Sequence, residues 1–362
     1  MNNYPFNPEK ETKIIGYYPA PGPKVPMFDT PITPRENLRL ALSGKTPLWI
    51  PTWQDLICLD FGSLPDNIAR GGYFRATPLK DEEKGGKDMF GTEWVYVPVT
   101  GGSMVKPGNP RFTDANEWKN VIELPNPDEW NWKEEAESVK ELVDDKRLIK
   151  STIPTGLFER LISFMDFSNA LLAIIDDDQK DAVHELFDAL CGVYEKVIDN
   201  MIKFLHIDML EFHDDWGSQR APLFSADTIR EMILPHLKRI VDYCHERGVF
   251  VDLHSCGKNE TLVPVMIEAG VNLWIPQQIN DCDYLIKTYG DKIMIGMDPD
   301  VIPAGTPEEE CKAMARKLVE KYIDNPRVFI FRSPIRHMGK VEYDSYFNEL
   351  YIASRELLSK KG

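Results

Sequence analysis

From residue 148 onward the chain alternates short apolar runs with amphipathic stretches, and nothing else in the sequence restricts the fold so strongly. The runs are LIKSTIP, IDMLEF, VFVDLHS, VNLWIP, KIMIGM and VFIFRS. Between them, apolar residues recur at helical spacing and predict helices over 179–204, 225–246, 258–269, 307–323 and 342–359. Strands alternating with helices imply βαβ units and a parallel sheet. Gly248, Gly270 and Gly290 each follow a helix and precede a strand, where a helix-ending glycine belongs. With the apolar segment Pro47–Pro51 added, at least seven strands can be counted. The expected fold is therefore α/β, a closed (β/α)8 barrel of the TIM type. No G-x-G-x-x-G follows any strand, which argues against an open dinucleotide-binding sheet.

The region before residue 148 lacks this rhythm. GYYPAPGPKVPMFDTP is rich in proline, which has no backbone donor and restricts its predecessor. An extended arm is expected over 1–32 and a single barrel domain over 33–362, with an irregular segment at about 55–147 forming a cap or an elaborated early unit. Thr33-Pro34-Arg35-Glu36 reads as a helix start, with Thr as cap, Pro at the first position and Glu at the third; Gly44 ends that helix. Residues 92–97 alternate like a strand, Gly101-Gly102 marks a turn, and a helix runs through Leu142.

The balance of 42 Lys+Arg against 58 Asp+Glu gives a formal charge of −16. A chain so acidic is not expected to hold nucleic acid or an anionic membrane by charge. No apolar run is long enough to span a bilayer, and MNNYPFNPEKETK has no basic-then-apolar signal pattern, so a cytoplasmic protein is expected. Its six dispersed cysteines suit reduced thiols. The sequence leaves a homodimer open.

In such a barrel the active site lies at the C-terminal ends of the strands. The polar residues there are Trp53-Gln54-Asp55, the block EFHDDWGSQ (Glu211 to Gln219), His254-Ser255-Cys256-Gly257, Gln277, Asp298 and, beyond the last strand, His337. His254 and Cys256 are two apart at a strand end and point the same way. An imidazole beside a thiolate can hold a cation such as Zn²⁺; a buried cysteine next to a hydrogen-bonded histidine is the other reading. In EFHDDW, alternation places Glu211, His213 and Asp215 on one side and Asp214 on the other. So many ionisable groups are costly to bury unless they are paired or metal-bound.

These blocks carry a family resemblance. TPRENLRLALSGKTPLWIPTW and the stretch from HDDWGSQRAPLF through VDLHSCGKNETLVP to VNLWIPQQ resemble the uroporphyrinogen decarboxylase superfamily over most of residues 33–355. The resemblance implies a barrel with a pocket at the strand C-termini. Decarboxylases of that superfamily place an arginine-rich motif after the first strand; here that place reads Pro51-Thr52-Trp53-Gln54-Asp55. The cobalamin-dependent methyltransferase branch binds zinc through H-x-C, which His254 and Cys256 match. Its thiol-methylating members add a late cysteine, where this chain has Phe331 to His337 without one. The resemblance thus implies one zinc on His254, Cys256 and a third residue, Glu211 in preference to His337. The expected reaction moves a methyl group from an O-methyl donor, such as a methoxylated aromatic, to a corrinoid brought by a partner protein. Asp215 or Asp214 would serve as proton donor, with Trp53, Trp216, Gln219, Gln277, Asp298 and His337 lining the substrate site and Trp274 a further aromatic wall. Beside this stand a methyl-corrinoid to thiol or folate transferase and a non-catalytic binding barrel.

Overall fold

The computed structural model describes residues 4–20, 24–59, 66, 84–98, 102–299, 301–331 and 340–361. The fold is an α/β barrel of the TIM type, with seven described barrel strands: β1 (Leu56–Leu59), β2 (Leu148–Ile153), β3 (Met209–His213), β4 (Phe250–His254), β5 (Leu273–Trp274), β6 (Met294–Met297) and β7 (Phe329–Ile330). None of the six cysteines is in a disulfide. Among the described residues no helix is long and apolar enough to cross a membrane.

The chain divides into two compact units that cut across the boundary expected at residue 32. The first comprises residues 1–57, 141–148 and 272–362. Its N-terminal segment is more ordered than an extended arm. It contains a short helix, Pro8–Glu11, and an antiparallel pair, Ile14–Tyr18 with Val25–Phe28. Proline is tolerated in a two-stranded ribbon because half of its donors face outward anyway. Helix Pro34–Leu42 starts with the expected capping box of Thr33 and Glu36. The apolar segment 47–51 is not itself a strand. Pro47 and Pro51 cannot donate to a ladder, and regular pairing is limited to a parallel bridge from Thr52 to Ile330 of β7. Strands β5, β6 and β7 run parallel in order. Phe28, Trp49 and Tyr351 pack together in this unit, the first and last stacked at 4.6 Å. Gly290 is not left-handed as a helix-ending glycine would be; a Cβ there would sit 2.2 Å from the Asn325 amide and 2.5 Å from the Ile286 carbonyl, so close packing is what requires it.

The second unit comprises residues 58–140 and 149–271. Here β2, β3 and β4 are parallel and in register, with Thr152 opposite Glu211, Glu211 opposite Asp252, and His213 opposite His254. The long helix Lys180–Leu205 covers them as the periodicity predicted. The helix expected over 225–246 is two, Ala226–Met232 and Leu234–Glu246, because Pro235 interrupts the backbone bonds. Two helices between β2 and the long helix were not foreseen: α1 (Leu157–Met165), directly after β2, and Phe167–Ala173. The irregular region holds a small antiparallel sheet of Gly86–Lys87, Glu93–Val97 and Gly102–Val105. The fully buried Arg160 of α1 anchors it through Asp88 and also binds Asp66, each at 2.6 Å. The turn expected at Gly101-Gly102 falls partly outside the described residues.

Candidate active site and metal cluster

The pairing of β2, β3 and β4 stacks two polar layers inside the second unit. Residues two apart on a strand share a face, so the Glu211–Asp252 pair lies one step below the His213–His254 pair. Lys150 of β2 reaches into the lower layer. Its ammonium is 3.0 Å from Asp252 Oδ2 and also bonds Glu211. Burial alone would discharge the lysine, but the two carboxylates reverse that and hold its pKa well above the ordinary value. Burial also works to raise Glu211, yet Lys150 prevails and brings it down to about 2. Burial, together with the charge of Glu211, pushes Asp252 upward.

In the upper layer the imidazoles of His213 and His254 lie face to face, with centroids 4.1 Å apart and planes 9° from parallel. Their direct register across β3 and β4 produces this stack. His213 Nδ1 donates to Glu159 Oε2 at 2.6 Å, a tautomer assigned from the carboxylate acceptor. His254 Nε2 is 3.2 Å from Cys256 Sγ and 3.9 Å from Asp215 Oδ1. Donor atoms of His213, Asp215 and His254 all lie within 4.8 Å of one another. Two imidazoles and a carboxylate thus cluster at the ends of two adjacent barrel strands, with the Cys256 thiol beside His254, residue types suited to zinc.

Two loops hold this arrangement. Cys256 N–H donates to Asp215 Oδ1 at 2.7 Å, and Trp216 N–H donates to Ser255 Oγ at 3.0 Å. Gly217 and Gly257 cross backbone on backbone: a Cβ on Gly257 would lie 2.2 Å from the Gly217 carbonyl carbon.

The expected residues fare differently. His254, Cys256 and Asp215 converge. Glu211 lies beneath the histidines, engaged by Lys150 rather than turned to the donor cluster. Asp214 is fully buried and faces away, toward the start of α1. Its carboxylate accepts from Phe158 N–H (3.2 Å), Glu159 N–H (2.9 Å) and the Trp216 indole (2.9 Å). Burial pushes its pKa up to about 7 against the pull of these donors. This carboxyl caps a helix and has no exposed atom to offer a substrate. Trp216 is likewise fully buried, its indole spent on Asp214, so it braces the loop rather than forming an exposed wall. Gln219 is exposed in the turn that follows. Trp53, Gln277 and Asp298 belong to the first unit. Trp53 packs 5.5 Å from the Tyr343 ring, Gln277 is exposed and Asp298 is half-buried. Trp274 is fully buried. His337 lies outside the described residues.

Sequence reasoning missed Lys150 and Glu159. Lys150 carries a signal, as the only charge in the apolar run LIKSTIP. Glu159 lies on the unforeseen helix α1, and nothing in GLFERLISFM points to His213.

The lower layer implies a pH signature. Glu211 has a folded pKa of about 2 against an ordinary 4.5, so its contribution to stability is present above that ordinary value and fades as pH falls toward the folded one. The melting-temperature gap between the wild type and Glu211→Gln should be full at neutral pH and shrink steadily below about pH 4.5. A gap independent of acid would refute the ion-pair account.

Residues 102–334 match the family model described as "Uroporphyrinogen decarboxylase (URO-D)". Among solved structures, the chain is similar to a methyltransferase from Methanosarcina mazei at 15% identity and a TM-score of 0.57, covering 90% of this chain and 98% of that one. A D-psicose 3-epimerase is matched at 12% identity and a TM-score of 0.37, covering 68% and 86% of the two chains. An intracellular xylanase from Thermoanaerobacterium saccharolyticum is matched at 9% and 0.36, covering 91% and 89%. At 15% identity the likeness to the Methanosarcina mazei methyltransferase bears on fold alone. No curated protein matches the chain.

Proposed function

The chain belongs to the uroporphyrinogen decarboxylase family, and on that premise we propose that it is a zinc-dependent methyltransferase. It moves a methyl group from an O-methyl donor, a methoxylated aromatic, to the Co(I) corrinoid of a separate partner protein. The observation that carries this reading is the approach of His254 Nε2 to Cys256 Sγ at a strand end, with His254 also clustered with donor atoms of His213 and Asp215.

A decarboxylase reading fits less well. The stretch Pro51 to Asp55 offers no arginine for substrate carboxylates.

In the transfer, the donor's C–O bond breaks and its electron pair stays on oxygen, while the acceptor's cobalt supplies the pair for the new bond to carbon. A phenolate is a poor leaving group, because its conjugate acid has a pKa of about 10. His254 and Cys256, with a third residue, would hold the zinc, whose Lewis acidity would make the oxygen easier to release. Asp215, half-buried beside His254, is the residue placed to hold the proton that the leaving oxygen finally takes. Asp214 fixes the helix behind the site, and the Gly217–Gly257 crossing keeps Asp215 and Cys256 in register.

Purified protein should carry about one zinc per chain, as a mononuclear site requires. His254→Ala and Cys256→Ala should each lose it, and unchanged metal content in both would end the zinc assignment. A methoxyarene with reduced corrinoid protein should give the phenol and the methylated corrinoid. Transfer seen only from methylcobalamin to a thiol would reverse the proposed direction.

A further inference from the structure

Glu159 is a charged group hydrogen-bonded to the histidine pair that the chemistry above leaves without a role. We propose that Glu159 is a positioning residue that makes His213 the third protein ligand of the ion held by His254 and Cys256, in the place that a late cysteine would otherwise take. The inference rests on the metal reading above and specifies its ligand set.

Catalytic zinc takes three protein ligands and leaves a fourth position open. Among the described residues, Glu211 and Asp215 already have partners. Glu211 is ion-paired with Lys150. Asp215 Oδ1 accepts the Cys256 N–H at 2.7 Å. The segment from Phe331 to His337 has no cysteine. His213 lies directly opposite His254 in the strand register, and its donor atom falls within 4.8 Å of those of His254 and Asp215.

Glu159 decides which nitrogen His213 presents. With Nδ1–H given to Oε2 at 2.6 Å, the lone pair is on Nε2. A carboxylate behind a ligating histidine fixes the ring and raises its basicity. The support for Glu159 is itself closed. Its backbone N–H donates to Asp214 at 2.9 Å, and Asp214 is the residue after His213. Gly156 abuts Asp214 so closely that a Cβ would lie 2.6 Å from its Cβ. Strand end, helix start and imidazole therefore form one loop of bonds, so the carboxylate cannot drift without taking the helix with it.

The test measures zinc affinity by competition with a chromophoric chelator on the full chain. It is paired with absorption spectra of the cobalt(II)-loaded protein and circular dichroism to confirm folding. Glu159→Ala should weaken zinc by about 10–100-fold, and His213→Ala by at least as much. Glu159→Gln, which can still accept the Nδ1–H through its amide oxygen, should lose less. The thiolate-to-cobalt band should persist in the Glu159 and His213 variants and vanish in Cys256→Ala. The ligand-field bands, which report coordination, should change in His213→Ala. Wild-type affinity and an unchanged cobalt spectrum in His213→Ala and Glu159→Gln would overturn this inference and leave the metal reading standing. A wild type that holds neither zinc nor cobalt would overturn both. Should Glu159→Ala fail to fold, the other two variants decide the matter.

Discussion

Lys150→Met should cost about 3–5 kcal/mol of unfolding free energy, the loss expected when one partner of a buried charge cluster is removed. The lysine side chain is 5% exposed and that of Asp252 is 2% exposed, so water cannot take over the lost interaction. What remains is two carboxylates, Glu211 and Asp252, facing each other across adjacent strands in a low-dielectric interior. They can settle only by taking up a proton, so the variant should be most damaged at neutral and alkaline pH and partly rescued by mild acid. Adding Asp252→Asn to Lys150→Met should recover a measurable part of the loss, because one charge is then removed. Urea midpoints at constant slope would show both effects. A single variant within about 1 kcal/mol of wild type, well below the expected loss, would mean that the layer is wetter than its burial implies.

Gly257→Ala should be comparably severe and should also weaken metal binding at the proposed zinc site. Gly257 has φ +96°, a conformation that costs side-chain-bearing residues about 1–3 kcal/mol. Its added methyl would also lie 2.2 Å from the Gly217 carbonyl carbon and 2.5 Å from the Gly217 Cα. Both clashes are with backbone, so no rotamer change relieves them; overpacking of this kind costs a further ~1–3 kcal/mol. The loop that carries Cys256 must therefore move, taking the thiol away from His254. A depressed melting temperature together with zinc loss is expected. Gly257→Ala protein that keeps its metal and its melting temperature would refute the crossing as described.

The barrel was legible because its evidence is redundant: several apolar runs, each followed by a helix, restate the same architecture. Individual boundaries had no such support. Pro47–Pro51 was apolar enough to be read as a strand, yet its two prolines leave the pairing to Thr52 and to Leu56–Leu59. In the site, the period-two pattern was enough to separate Glu211, His213 and Asp215 from Asp214, because a strand offers only two sides. It could not say what lay on the far side, and so Asp214 was read as a proton donor when it caps a helix that the sequence had not announced. Lys150 and Glu159 come from segments 61 and 54 residues away from their partners Glu211 and His213. Local periodicity carries no information about such pairings; only the parallel order of β2, β3 and β4 brings them together.

The in-register pairing of His213 with His254 also limits how the site can vary. An insertion or deletion of one residue in either strand would turn one ring to the outer face of the sheet while leaving its neighbour in place. Drift in donor preference is thereby confined to the connecting loops, and strand lengths beneath the two rings are frozen for as long as both rings are needed.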